Sequence, residues 1–190
     1  MSALSGRKRD MRGKQPTERL QVHLVGMLLS LLGFGVLAVF VTIALAAQDP
    51  LWFLKRFEER PTRIVVYSGG RQMTFTPGQS GYAELAEAVR ASLAQGVERS
   101  SGIGLSAASL EDAYHLYITV EAFFDRPVKL HAGFNTGWPT QMLFPITGRH
   151  SDQPVVFLGK DGQYMANGPV LKTVEPIRNA LKSLGFDIQP

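Results

Sequence analysis

Cysteine is absent from the 190 residues, which excludes disulfides, thiol nucleophiles, thiolate zinc sites and iron–sulfur clusters together. That absence fits a bacterial envelope or a cytosol better than a disulfide-dense secreted scaffold. Charge excess is missing from most of the chain as well. The formal net charge is +4, and residues 1–23 supply all of it, with Arg7, Lys8, Arg9, Arg12, Lys14 and Arg19 against Asp10 and Glu18. The remainder balances at 14 basic and 14 acidic residues. The main body therefore lacks the electrostatic footprint of a polyanion binder, and no nucleic-acid partner is expected.

Catalytic signatures are equally scarce. None of the four histidines, His23, His115, His131 and His150, stands in an HExxH or comparable ligand spacing. His115 and His131 are expected on the polar faces of consecutive strands. His115 and Glu121 would lie about 20 Å apart along one of them, too far to share a metal. "GQSGY" at 78–82 lacks the last glycine of a G-x-S-x-G elbow, and Ser80 there suits a helix cap. "GIGLSA" at 102–107 matches G-x-G-x-x-A, but a dinucleotide loop must leave a parallel strand and open a long helix. A polar loop precedes it instead, so a plain loop is expected. The adjacent carboxylates Glu58 with Glu59 and Glu111 with Asp112 read as solvated. No cofactor and no metal are expected, and no internal repeat is visible.

What the chain does have is one long apolar run, "LVGMLLSLLGFGVLAVFVTIALA" at 24–46, with no charge and only Ser30 and Thr42 as hydroxyls. As a helix it spans roughly 34 Å against a hydrocarbon core of about 30 Å. It is apolar all round, whereas a helix of a soluble domain carries one apolar stripe. A cleavable signal is the rival reading, because "ALA" at 44–46 resembles a cleavage site. Yet secretory apolar regions run to about 7–15 residues, so a retained signal-anchor is favoured. Six basic residues precede the run, while Lys55, Arg56, Arg60 and Arg63 follow it, diluted by Asp49, Glu58 and Glu59. This bias predicts the N-terminus in the cytoplasm and the rest outside. Gly26 and Ser30, like Ala38 and Thr42, are four apart, the small-residue spacing of close helix–helix contact.

These readings divide the chain into a basic cytoplasmic tail at 1–23, a transmembrane helix at 24–46, a juxtamembrane linker at 47–61 and an extracytoplasmic domain at 62–190. The linker is expected to form a short helix near the headgroups, with Trp52, Phe53 and Phe57 in an interfacial belt.

Within the domain, "RIVVY" and "QMTFT" flank Gly69 and Gly70 as a hairpin. Tyr82, Leu85, Val89 and Leu93 recur at helical steps, and Gly96 stops that helix. Residues 97–109 read as a loop. "YHLYITVEAFF" from Tyr114 alternates as a strand, and "RPVKLHAGF" at 126–134 alternates as another. "TQMLFPI", "PVVFL" and "QYMA" complete the strands, with Asp161 and Gly162 as a turn. Ile177, Leu181 and Leu184 mark a final helix. The expectation is an α+β domain, a mainly antiparallel sheet packed against two amphipathic helices on one face.

On the polar side of the most regular strand, Tyr117, Thr119 and Glu121, together with Trp138 in a loop, form the candidate partner surface. The functional expectation is a single-pass membrane protein whose outer domain binds, scaffolds or assists another envelope component, with the bilayer as its other partner. Two alternatives are an anchored hydrolase or transferase using converging His115, His131 and Glu121, and an accessory subunit recruited through its transmembrane helix.

Overall fold

The computed structural model describes the backbone of residues 16–188 and side chains from residue 23 onward, so residues 1–15 of the basic tail at 1–23 lie outside the described residues. The chain divides into two compact units, residues 1–42 and 43–190.

Helix α1, Pro16–Ala47, contains a 25-residue stretch, His23–Ala47, with a mean hydropathy of 2.6, exposed from His23 to Thr42 and buried only at its end, where Ala47 is fully covered. It is long and apolar enough to cross a membrane. Leucines, valines and phenylalanines project on every side, and Phe34 is 73% exposed. The Thr42 hydroxyl donates to the Ala38 carbonyl at 2.8 Å, so its polarity is satisfied within the helix. Gly26, Ser30 and Ala38 lie on the same exposed helix.

The second unit is an α+β domain. Strands β1 (Arg63–Ser68) and β2 (Arg71–Phe75) form the expected hairpin. Gly69 and Gly70 have φ of +55° and +76°, the left-handed pair that a two-residue hairpin turn needs. Next come α2 (Tyr82–Ala94), β3 (Val97–Ser100), α3 (Ala107–His115), β4 (Ile118–Phe123) and β5 (Gln141–Pro145). β6 (Phe157–Lys160) turns through Asp161 and Gly162 into β7 (Gln163–Tyr164), and β8 (Pro169–Leu171) and α4 (Glu175–Ser183) complete the chain. The main sheet has the order β2-β1-β4-β5-β6-β7 with every pair antiparallel, while β3 and β8 make a separate two-stranded sheet.

Register sorts the side chains into two faces. Ile64, Ala122, Met142 and Leu158 align across four strands, and all four belong to the main core with Leu85, Val89 and Leu93 of α2 and Ile177 and Leu181 of α4. These are the two amphipathic helices expected from the spacing. The opposite face is also covered. Leu143, Val155, Phe157 and Val170 pack there with Ile103, Leu105, Leu110 and Tyr114, under α3 and the loop that leads into it. The sheet is thus sandwiched between two layers, where only one covered face was expected.

Several local expectations are corrected. Tyr114 and His115 do not begin a strand but end α3, because the Ser106 hydroxyl caps that helix by accepting from the Ser109 amide at 3.1 Å. Leu110 and Tyr114, four apart, then reach the same apolar cluster. Residues 126–134 alternate as a strand would, with Val128, Leu130 and Ala132 buried, but they join no ladder. The reason is topological: β1 and β5 already occupy both edges of β4, and Pro127 has no amide to donate.

Conversely, β3 falls inside the segment read as loop. β3 itself carries a single apolar residue, Val97, and is ordered by pairing with β8 some seventy residues onward. Ser80 does not cap α2. The position is taken by Gly81 at φ +82°, where a Cβ would come within 2.9 Å of Leu184. The linker helix is absent as well. Residues 50–53 make a turn, after which the chain has no regular secondary structure to Pro61. Phe57 is not an interfacial residue, being only 4% exposed and edge-on to Phe124 in the main core.

Candidate functional site

Register places Glu121 opposite Val65 on one side and Leu143 on the other, on the face that α3 covers. Its side chain is 3% exposed, and Thr119, two residues earlier on the same face, is fully buried. These two members of the candidate partner surface therefore do not meet solvent. The alternation of β4 identified their shared face correctly, but that face is roofed by α3. Tyr117 is half-buried in the link from α3 to β4, its ring against Gly148. Trp138 is 58% exposed in the loop before β5. The four residues do not form one surface.

Around Glu121 the structure assembles three tyrosines that the sequence did not connect. Tyr67 donates to one carboxylate oxygen at 3.0 Å, and the Tyr164 hydroxyl donates to the other. The ring of Tyr114 lies 4.3 Å, centroid to centroid, from that of Tyr67. An unaccompanied carboxylate in such a place would be very costly, and the phenols supply the hydrogen bonds that make its burial tolerable. The Thr119 hydroxyl beside it has no hydrogen-bond partner among the described residues.

The carboxylate alters the phenols in turn. Burial first, and then the charge of Glu121, push Tyr114 up to about 12. The same causes push Tyr67 and Tyr164 higher still. Folding thus favours the protonated phenols. Their contribution to stability is complete below pH about 10, where an unfolded tyrosine titrates, and is lost as pH rises through the folded values. A spectrophotometric titration of phenolate absorbance should show these three groups ionising well above pH 10, together with loss of the native circular dichroism. Reversible ionisation of all five tyrosines near pH 10 in the folded protein would contradict this arrangement.

The second cluster lies where the chain leaves α1. Asp49 is 5% exposed, and its carboxylate is divided between two partners. One oxygen accepts from the Leu51 amide at 2.9 Å, closing the turn, and the other lies 2.7 Å from Nδ1 of His131. The Asn135 amide donates to the side chain of Gln48 at 3.1 Å. Two hydrogen bonds spanning more than eighty residues thus fasten the loop at 126–140 to residues 48 and 49. Beside them runs a groove of about 290 Å³ lined by Arg56, Phe57, Val128, Lys129, His131 and Trp138. Lys129 stands 5.1 Å from the centre of the Trp138 ring, and burial lowers the pKa of its ammonium, opposed by the charge of Asp49.

The other sequence candidates separate. His115, at the end of α3, pairs with Glu111, while His131 pairs with Asp49 and Glu121 with tyrosines. The convergence of His115, His131 and Glu121 on which an enzymatic alternative depended is not formed. Among the described residues no three His, Asp or Glu side chains are placed to hold a metal ion. Glu58 pairs with Arg56, Glu59 with Arg126 and Asp112 with Arg149. "GIGLSA" does follow a strand, β3, but that strand is antiparallel to β8 and the helix beyond is nine residues long. Ile103 and Leu105 of the motif pack into the apolar layer under α3.

No protein-family model, curated protein or solved structure matches the chain.

Proposed function

We propose that the protein is a single-pass, membrane-anchored protein whose α+β domain lies outside the cytoplasm and binds or scaffolds another component of the cell envelope. The observation that carries the reading is α1. Its apolar stretch is exposed from His23 to Thr42, and in water that much exposed hydrocarbon has no partner. Lipid is the solvent that suits it. The basic residues concentrated before the run favour the cytoplasmic side for the N-terminus.

A binding or scaffolding role is supported by how the domain uses its ionisable groups. Glu58, Glu59, Glu111 and Asp112 each hold a neighbouring basic side chain, and Glu121 is enclosed by phenols. These are the arrangements of a framework that presents a surface.

Expression of the full chain in bacterial cells tests the reading. The protein should remain full-length in carbonate-washed membranes, and protease added to spheroplasts should remove residues 62–190 while sparing the tail. A mature form beginning near Ala47 would show that the run is cleaved. A domain digested only after lysis would reverse the orientation.

A further inference from the structure

We propose that the domain carries a membrane-docking face, formed by the turn at 51–54 and the Trp138–Lys129 pair, that rests in the headgroup layer of the bilayer holding α1. The inference rests on the anchored reading above and adds a specific contact to it. Leu51, Phe53 and Leu54 are exposed, Phe53 to 52%, although each is large and apolar. Leu51 is four residues past the end of the apolar stretch at Ala47, within about 14 Å of it by chain reach alone. No orientation of the domain takes these side chains far from the lipid surface.

The second element reaches the same place through tertiary contacts. Asp49, two residues past Ala47, holds His131. Lys129 is two residues before His131, and its ammonium faces the ring of Trp138. Trp138 is thereby brought, from ninety residues downstream, beside the segment where the span ends. An exposed tryptophan next to a lysine suits the headgroup layer, with the indole at the ester level and the ammonium toward phosphate. Among the described residues no carboxylate forms an ion pair with Lys129, whereas Arg56 and Arg126 each hold one. Its ammonium donates to the Gly137 carbonyl at 3.4 Å and lies in the field of Asp49, which leaves it a cation of this face without a carboxylate in direct contact. Surface lysines alone would attract such lipids weakly, and surface aromatics alone would be indifferent to headgroup charge. The combination specifies a bilayer with anionic lipid as the occupant.

The chain contains two tryptophans, Trp52 and Trp138, so fluorescence reports directly on this face. The full-length Trp52→Phe variant, with Trp138 as its single tryptophan, is reconstituted into phosphatidylcholine–phosphatidylglycerol vesicles containing lipid brominated on the upper acyl chain. Flotation of the vesicles is scored alongside. The proposal expects co-flotation and strong quenching of Trp138. Lys129→Gln in the same background should shift the docked-to-free ratio about fivefold toward free, the effect of one basic residue at an anionic surface. Co-flotation with emission indifferent to brominated lipid would overturn the docking face and leave the anchor standing. Failure to float would overturn both. Quenching unaltered by Lys129→Gln would remove the lysine, and with it the preference for anionic lipid. Should Trp52→Phe disturb folding, the loss of quenchable emission between wild type and Trp138→Phe reads the same contact.

Discussion

Paired arginines at positions 32 and 36 should release the protein from the membrane. Leu32 and Val36 lie one helical turn apart near the middle of the apolar stretch, and both are exposed. On the insertion scale an arginine at the centre of a span costs about 2.5–3.5 kcal/mol, so two cost about 5–7 kcal/mol. The fourteen leucines, isoleucines, valines and phenylalanines of residues 24–46 together favour insertion by about 4–8 kcal/mol on the same scale. The two terms are of equal size, which is why a pair of charges is needed and a single one leaves a residual preference. Leu32→Arg with Val36→Arg should move the protein from the carbonate-resistant pellet to the supernatant or to degradation, while Leu32→Val with Val36→Leu should pellet as wild type.

The same experiment distinguishes lipid from protein as the environment of α1. Residues 32 and 36 are exposed and belong to the unit at 1–42, not to the domain at 43–190, so the double arginine variant should keep the domain's thermal midpoint in detergent. A fall in that midpoint would mean that the helix packs on protein. Unchanged pelleting would mean that transfer of the run into hydrocarbon is not what retains the chain.

The second large effect is expected at Glu121. Glu121→Leu leaves the Tyr67 and Tyr164 hydroxyls without the acceptor that each now uses. A hydrogen bond to a charged group is worth about 1.5–3 kcal/mol, and a buried orphaned donor forfeits much of that. Relief of carboxylate desolvation and the added apolar contact of leucine offset part of the loss. The net destabilisation should be about 3 kcal/mol. In a domain of this size that lowers the thermal midpoint by roughly 6–12 °C.

Because the penalty belongs to orphaned partners, removing them should restore stability. Glu121→Leu combined with Tyr67→Phe and Tyr164→Phe should recover most of the loss, since replacing every member of a polar network by apolar groups of similar shape is close to neutral. Urea unfolding of the full chain in detergent provides both measurements. Equal midpoints for wild type and Glu121→Leu, or additive losses in the triple variant, would show that the carboxylate and the phenols do not act as a unit.

Which parts of this architecture can be read without coordinates depends on how local their causes are. The hairpins at Gly69–Gly70 and Asp161–Gly162 were legible because turn chemistry is decided by two residues. The helices α2 and α4 were legible because one stripe of each meets a core, and the apolar run because its solvent preference is compositional. What could not be read required knowledge of a distant neighbour. The strand β3 exists only through β8, and residues 126–134 lack a ladder because β5, further along the chain, takes the remaining edge of β4. Phe57 looked interfacial until Phe124 covered it. Alternation along β4 put Thr119 and Glu121 on one face but carried no information about α3 roofing that face. Neither the convergence of Tyr67, Tyr114 and Tyr164 on one carboxylate nor the pairing of Asp49 with His131 leaves a trace in local sequence.

The position of β4 has a consequence for biogenesis. β1 is flanked by β2, delivered at once by the hairpin, and by β4, whose last residue is Phe123. At about 5–20 residues per second, a ribosome needs roughly 3–11 s to supply the 55 residues from Ser68 to Phe123. Throughout that interval one ladder of β1, with its run of isoleucine and valine, stands open in the nascent chain. The half-built sheet is an adhesive edge during synthesis, and the cell must shield it until the central strand slots into place.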